Sequence, residues 1–420
     1  MSQSDLLAEL DWRGMLHQST DGVAGALAKG PVTAYAGFDP TAPSLHVGSL
    51  VPIMGLVQLQ RHGHRPVALV GGGTGMIGDP SGKAAERTLQ SREQVLLNVA
   101  GIQSQLERFL DFSGTNAALV RDNSDWLLPL GAVEFMRDVG KHFTVNYMTA
   151  KDSVKSRMDA GISYTEFSYM LLQAYDFLEL FRRDGVTLQI GGSDQWGNMT
   201  AGVELVRRSA GGEAHALTFP LLATSSGAKF GKTEAGAVWL DGARTSPYQF
   251  YQFWINTEDG DVGRYLRLFT LLDHAEIEAL EAASADRPER REAQTALAKD
   301  VTTRVHGDEA ARVAEQISAI LFGRGDPADL GEDALAALAR EVPSVTVQRN
   351  HAGDTADLLV QTGLVKSRGE GRRLADQGGA YVNGQRVAGT ALASDMAPLA
   401  GSYLLLKKGA RAYAVVQLIG

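Results

Sequence analysis

The chemistry this chain could do is concentrated in a few short stretches. His46 and Gly48, in "FDPTAPSLHVGSL" (38–50), stand where an apolar run gives way to a helix, and Pro52 suits that helix's first turn. The start of a helix offers unpaired N–H groups and a partial positive charge, which together make an anion site. A glycine there lets a flat ligand approach the backbone, and an imidazole can donate to a phosphate oxygen. A lone histidine at a helix start is as a rule structural. Downstream, however, "KFGKT" (229–233) sets Lys229 and Lys232 three apart on a loop, suited to neutralising the charge on a leaving pyrophosphate. Between the two lies "SYTEFSYMLLQAYDFLELFRR" (163–183). In it Tyr169, Gln173 and Asp176 recur at i, i+4 and i+7 and share one helix face within about 60°. The stripe lacks Lys and Arg and is flanked by Met170, Leu172, Phe177 and Leu180. Facing inward, it would suit an ammonium group and a hydroxyl; facing water, it is an ordinary amphipathic helix, and the spacing fits both.

These residues need a frame. "VTAYAGF" (32–38), "RPVALVGG" (65–72), "AALVRD" (117–122) and "VTLQIGG" (186–192) read as buried strands that end in Gly or Asp. Helical patterns alternate with them, so the first half predicts a doubly wound, Rossmann-like parallel sheet whose ligands sit at the C-terminal strand ends. From about 245 the pattern is helix after helix, "FGRGDPADLGED" (322–333) reads as a linker, and the rest is short and β-rich. Three domains are expected: an α/β domain (1–225), the KFGKT loop with an all-α domain (226–330), and a small α+β domain (345–420).

The glycine loop "GGGTGMIGDPSGK" (71–83) contains "GTGMIG", which formally fits a dinucleotide fingerprint. The turn sequence Asp79-Pro80-Ser81-Gly82 follows where a helix should open, and no acid lies near Asn98, some 20 residues on. "GDPSGK" and "GAKFGKT" each miss P-loop spacing by one residue. Nicotinamide and Walker-type phosphate binding are therefore disfavoured, yet two lysine-bearing glycine loops exceed what a plain surface turn requires.

Composition narrows the class. The chain has 420 residues, 44% hydrophobic and 21% charged, and no cysteine, so disulfides, thiolate zinc sites and a cysteine nucleophile are excluded. Nothing in it reads as a signal peptide or membrane span, and a cytoplasmic protein is expected. The net charge is −9, but residues 351–420 hold eight Lys/Arg against five Asp/Glu, a local +3. An acidic body with a mildly basic tail suggests a tail that touches phosphate.

"HVGS" (46–49) resembles the HIGH motif and "KFGKT" the KMSKS motif of class I aminoacyl-tRNA synthetases. "YAGFDPTAPSLHVG", "ALVGGGTGMIGDPSGK" and "IGGSDQWGN" are similar to the bacterial tyrosyl-tRNA synthetase family in particular, and the resemblance covers essentially the whole chain. "TADLLVQTGLVKSRGEGRRLADQGGAYVNGQRV" (355–387) resembles the small RNA-binding module, shared with a ribosomal protein, that ends this enzyme. Two departures stand out: Ser49 at the fourth HIGH position, and Gly231 and Thr233 in place of the KMSKS serines.

The resemblance implies activation of L-tyrosine with ATP and its transfer to tRNA(Tyr) by a homodimer, with Mg²⁺ accompanying ATP and no structural metal or membrane partner. It implies that Tyr35 and Asp176 hydrogen-bond the substrate phenol. Asp79, Tyr169 and Gln173 would hold its ammonium group, with Gln195 and Asn123 nearby. Asp39, Thr41, His46, Gly48, Gly192 and Asp194 would bind ATP, and Lys83, Arg87, Lys229 and Lys232 would grip the phosphates. In the tail, Lys366, Arg368, Arg372 and Arg373 are the expected tRNA contacts. The rivals are a tryptophanyl-tRNA synthetase, disfavoured by Tyr35, Asp176 and the tail, and a catalytically inactive RNA-binding relative, disfavoured by His46, Lys229 and Lys232.

Overall fold

The computed structural model of the chain describes residues 6–81, 89–151, 154–155, 158, 161–225, 227, 230–233 and 236–420; of Lys232 and Thr233 it describes the backbone. Two compact units form, one from Met1–Thr245 with Thr257–Val305, the other from Ser246–Asn256 with His306–Gly420.

The first unit is built on a six-stranded sheet of Gln18–Ser19 (β1), Thr33–Phe38 (β2), Arg65–Val70 (β3), Leu119–Asp122 (β4), Val186–Gly192 (β5) and His215–Phe219 (β6). The order is β1-β6-β5-β2-β3-β4, parallel except for β1 against β6. The four strands read from their apolar runs all form. The two unforeseen strands had weak signals, since β1 is two exposed residues and β6, HALTF, mixes His215 and Thr218 into its apolar run.

Because β3 and β4 extend the sheet on one side of β2, and β5 and β6 on the other, the order reverses between β2 and β5. There β2 stays paired with β3 as far as Phe38↔Val70, but with β5 only as far as Tyr35↔Gln189. Beyond that register the strands part, which opens a crevice at the C-terminal ends where ligands bind in such sheets.

The polar-stripe helix runs Tyr164–Asp184, started by Ser163, whose side chain accepts from the Glu166 N–H, and stopped by Gly185 at φ 65°. It packs on the sheet, with Met170, Ala174 and Phe177 against Tyr35, Val67 and Leu69, and on the helix Trp196–Ala210 through Ala201 and Leu205. That second contact is close: a Cβ on Gly202 would lie 2.9 Å from the Phe177 ring. The stripe therefore faces inward, with Tyr169 and Asp176 buried and Gln173 half-buried.

In the second unit the helices Pro247–Ile255, Asp308–Leu321 and Glu332–Glu341 accompany a five-stranded sheet. Numbering on from the short ribbon Lys232–Thr233 (β7) and Gly236–Ala237 (β8), its strands are Ser344–Gln348 (β9), Ala380–Val382 (β10), Gln385–Arg386 (β11), Tyr403–Lys408 (β12) and Ala412–Ile419 (β13). Both faces are covered. Leu404, Leu406, Ala414 and Val416 pack with Leu358, Leu359 and Ala375, while Tyr403, Leu405, Tyr413 and Val415 pack with Val313, Ile317, Leu335 and Leu338. The stretch 322–333, which reads as a linker, puts Leu330 into this second core at 4% exposure, so it is part of the folded unit.

Candidate active site

At the crevice, Tyr35 lies across the β2–β5 pair from Gln189, which places both side chains on the face covered by the polar-stripe helix. Both are buried, and neither the Tyr35 hydroxyl nor Gln189 Oε1 has a hydrogen-bond partner among the described residues. Asp176 is also buried. Its Oδ2 accepts from Asn123 Nδ2 (2.9 Å) and its Oδ1 from Trp126 Nε1 (2.7 Å). Burial pushes the Asp176 carboxyl up to about 8, against the pull of those two hydrogen bonds, with Asp39 and Asp122 adding to the rise. Burial, with Asp176 nearby, likewise lifts the Tyr35 phenol well above its ordinary value. Each carboxylate oxygen retains acceptor capacity and Tyr35 retains an O–H. A ligand hydroxyl that both donates and accepts would complete the set.

Asn123 is held in turn by the glycine loop: its Oδ1 accepts from the Gly73 N–H (2.7 Å) and its Nδ2 donates to Thr74 Oγ1 (2.9 Å). Thr74 Oγ1 donates to Asp39 Oδ1 (2.7 Å), and the Tyr169 hydroxyl donates to Asp39 Oδ2 (2.8 Å). The loop's glycines are thus a packing requirement, because a Cβ on Gly71 would fall 2.2 Å from Asp39 Oδ1.

A second cluster gathers around Asp79. Gln195 Nε2 donates to Asp79 Oδ2 (2.7 Å), and the Ser81 N–H donates to Oδ1 (3.0 Å). Asn198 Nδ2 lies 3.0 Å from Gln173 Oε1 and 3.3 Å from Gln195 Oε1. Oxygens of Asp79, Gln173 and Gln195, from three elements, with the Tyr169 hydroxyl bound to Asp39 on the same helix as Gln173, make surroundings suited to a cation with N–H groups.

At the third place, His46 is exposed and its Nδ1 accepts the Gly48 N–H (3.0 Å), so the ring proton sits on Nε2 as a donor. The turn Val47–Ser49 precedes the helix Leu50–Arg61, and Ser49 gives no side-chain cap. The KFGKT segment is tied to this turn. Val47 N donates to Val238 O (2.9 Å), and His46 forms a bridge with Trp239. Gly231 has φ 78°, and a Cβ there would come within 2.7 Å of Val47 Cγ2, which accounts for glycine where the related motif has serine. Phe230 is buried, stacked on Phe269 (5.3 Å between ring centroids) and edge-on to Tyr265 (5.1 Å). Thr41 and Asp194 are exposed near the strand ends, and Gly192 leaves room for Asp194, whose Oδ1 a Cβ would meet at 2.5 Å. Lys83, Arg87 and Lys229, and the side chain of Lys232, lie outside the described residues.

In the second unit Arg368 is paired with Asp357 (2.7 Å) and Asp354 (3.2 Å), and Arg372 with Asp354 (3.5 Å). Lys366 and Arg373 form no salt bridge among the described residues. Among the described residues no group of three His, Cys, Asp or Glu could hold a metal, and no helix is long and apolar enough to cross a membrane.

Sequence reasoning missed Thr74, Trp126, Gln189 and Asn198. Thr74 sits inside the glycine loop and Asn198 ends "SDQWGN", so proximity to known motifs was the available signal. Gln189 and Trp126 carry none, since what gives them meaning is a partner on another element.

Two family models match the chain: tRNA synthetases class I (W and Y) over residues 27–323, and the tyrosine–tRNA ligase SYY-like C-terminal domain over 334–416. A tyrosine–tRNA ligase of Anaeromyxobacter dehalogenans is 56% identical over 417 residues, covering 99% of each chain. One of Geobacillus stearothermophilus is 51% identical over 421 residues, covering 98% of this chain and 99% of the relative. Among solved structures, a C-terminally truncated Aspergillus nidulans mitochondrial tyrosyl-tRNA synthetase matches with TM-score 0.69 at 31% identity, over 76% of this chain and 94% of that one. A tryptophanyl-tRNA synthetase from Encephalitozoon cuniculi shares the fold, with TM-score 0.52 at 14% identity over 80% of this chain and 94% of that one.

Proposed function

The chain belongs to the class I tyrosine–tRNA ligases, and from that premise we propose how its residues divide the reaction. It activates L-tyrosine with ATP to tyrosyl-adenylate and transfers the tyrosine to the 3′ end of tRNA(Tyr). The tyrosine carboxylate attacks the α-phosphorus in line, so no side chain acts as a covalent nucleophile, and catalysis is positioning plus charge stabilisation.

In our reading the Tyr35 O–H donates a hydrogen bond to the substrate phenol oxygen while the phenol O–H donates one to the Asp176 carboxylate. Asn123 and Trp126 hold that carboxylate in place. Asp79, Tyr169 and Gln173 take the ammonium group, with Gln195 orienting Asp79. Asp39, Thr41, Gly48, Gly192 and Asp194 position ATP, and His46 offers Nε2–H to its phosphates. Lys83, Arg87, Lys229 and Lys232 meet the charge that develops on pyrophosphate. Mg²⁺ enters with ATP, as the counter-ion of its phosphates.

We assign adenylate chemistry to residues 1–225, anticodon recognition to the helices of 226–330 and a further RNA grip to 345–420, through Lys366, Arg368, Arg372 and Arg373. A homodimer is supported by an exposed apolar set along 128–164, with Leu128, Val133, Met136, Val145, Met158 and Tyr164 all 44% or more exposed. The cytoplasm is the inferred compartment, which suits a cysteine-free chain.

One observation carries the tyrosine pocket: a buried phenol donor without a partner stands beside a buried carboxylate with acceptor capacity to spare. The test is ATP–pyrophosphate exchange with each of the twenty amino acids. Phenylalanine would leave the Tyr35 O–H buried and unpaired and the spare acceptor capacity of Asp176 unused, so exchange is expected with tyrosine and not with phenylalanine. Comparable kcat/KM for the two would remove the pocket assignment, and preference for tryptophan would favour the rival ligase.

A further inference from the structure

Asn198 is 3% exposed in the first turn of the helix Trp196–Ala210, and its Nδ2 faces four oxygens from other side chains. Gln173 Oε1 is at 3.0 Å, Gln195 Oε1 at 3.3 Å, Ser81 Oγ at 3.4 Å and Asp79 Oδ1 at 3.5 Å. Gln195 then closes the group by donating its Nε2 to Asp79 Oδ2 at 2.7 Å.

We propose that Asn198 is a positioning residue for the substrate ammonium group, holding the amide oxygens of Gln173 and Gln195 toward the acceptor cluster around Asp79. The inference rests on the assignment of Asp79, Tyr169 and Gln173 to the ammonium. A glutamine amide can be turned end for end at little steric cost, because its oxygen and its NH₂ are nearly the same size; only the partners decide which end faces where. Asn198 supplies the donor that selects oxygen at both glutamines. Without it, the Gln173 amide can rotate to present its NH₂ to the bound ammonium, and Gln195 keeps only its bond to Asp79, so its oxygen is no longer held in the cluster and a site rich in acceptors becomes partly one of donors. The alternative is that Asn198 only joins its helix to the 79–81 turn, in which case its removal weakens every ligand alike.

The two roles separate with a ligand that lacks the amino group. Full-length protein carrying Asn198→Ala is titrated by tryptophan fluorescence with L-tyrosine and with 3-(4-hydroxyphenyl)propionate, which is tyrosine without its ammonium. Tyrosine is expected to bind roughly 10- to 100-fold more weakly, the scale of one hydrogen bond to a charged group, while the propionate changes less than about threefold. The rate of adenylate formation at saturating tyrosine should stay within a few-fold of the parent, so the loss appears in KM rather than kcat. Asn198→Ser, which keeps a donor with shorter reach, should fall between, and it carries the same comparison if the alanine variant does not fold. Equal weakening of both ligands, or of neither, overturns the proposal. Asp79→Asn serves as the control for the underlying reading. If it too weakens both ligands equally, the ammonium assignment itself fails; if it is selective and the Asn198 variants are not, only the role of Asn198 falls.

Discussion

The pocket of the first unit and the basic helix of the second use similar residue types to opposite ends. Around Tyr35 and Asp176 each polar group is buried, its partners are few, and the shortfall shows as an unsatisfied hydroxyl and a carboxyl raised to about 8. On and just before the helix Arg368–Asp376 the charges are exposed, and two of four candidate cations are already matched by Asp354 and Asp357, which also cap the neighbouring helix Thr355–Gln361. A buried donor without a partner asks for a ligand, whereas an exposed ion pair is worth little and can be exchanged for a phosphate or for water. The difference predicts that point changes in the pocket act strongly and specifically, and those on the helix weakly and in proportion to charge.

The largest effect is expected for Lys232→Ala. The charge it meets develops in the transition state, so the single-turnover rate of adenylate formation should fall by about 10²–10³ while the dissociation constant of tyrosine barely moves. A rate within a factor of two of the parent would make the KFGKT segment a structural tie, consistent only with the packing of Phe230 and Gly231.

Next is Asp176→Asn, which removes the charged acceptor yet keeps the shape. Loss of roughly 1.5–3 kcal/mol of charge-assisted hydrogen bonding corresponds to about 10- to 100-fold in kcat/KM for tyrosine, measured by pyrophosphate exchange. An unaltered kcat/KM would show that the buried carboxyl is no more specific than the exposed pairs, and the comparison between the regions would collapse.

The same group predicts a pH dependence. With its folded pKa near 8 and its ordinary value near 3.8, Asp176 binds a proton in the folded state that the unfolded chain has released between those values. Folding stability from this group is therefore fully present at low pH and declines as pH rises through that window. Tyrosine binding runs the other way, because the ionised carboxylate is the form that accepts a hydrogen bond from the phenol O–H. At pH 7 only about a tenth of the sites would be competent, so affinity for tyrosine should rise about tenfold between pH 7 and the plateau above pH 8. Asp176→Asn should abolish that rise. A flat profile in the parent protein from pH 6 to 9 would mean that the carboxyl is ionised throughout.

The smallest effects belong to the tail. Lys366→Ala and Arg373→Ala should each weaken tRNA binding a few-fold and reduce the slope of log affinity against log salt by about 1, as expected for one phosphate contact. Arg368→Ala and Arg372→Ala should do less, since they begin in ion pairs. Point variants are required here. A cut near residue 340 would strip Tyr403, Leu405, Tyr413 and Val415 from the helices Asp308–Leu321 and Glu332–Glu341, which share a core with them. If Arg368→Ala matched Arg373→Ala in salt slope, the ion pairs would be no obstacle to RNA.

Much of the first unit could be read in advance, because continuous apolar runs and helical periodicity are properties of single elements. The strands at β2, β3, β4 and β5 and the helix Tyr164–Asp184 follow from them, as does the placement of His46 just ahead of a helix and of the glycine loop at a strand end. What escaped were β1, two residues long, β6, whose apolar run is broken by His215 and Thr218, and the segment 322–333. Its Gly, Pro and Asp residues signal a loop but say nothing of whether Leu330 is buried.

The sequence by itself determined the family, the parallel sheet and the identity of most polar residues at the crevice, because motif spacing and local periodicity survive without a partner. Only the tertiary structure decided which way the Tyr169–Gln173–Asp176 stripe faces, since a polar row becomes a pocket or a wetted surface according to what packs over it. It also brought Gln189 beside Tyr35, gathered four oxygens around Asn198, and matched Arg368 and Arg372 with carboxylates. Each of these depends on residues distant in the chain coming within hydrogen-bond reach, and neither composition nor spacing along the chain encodes that distance.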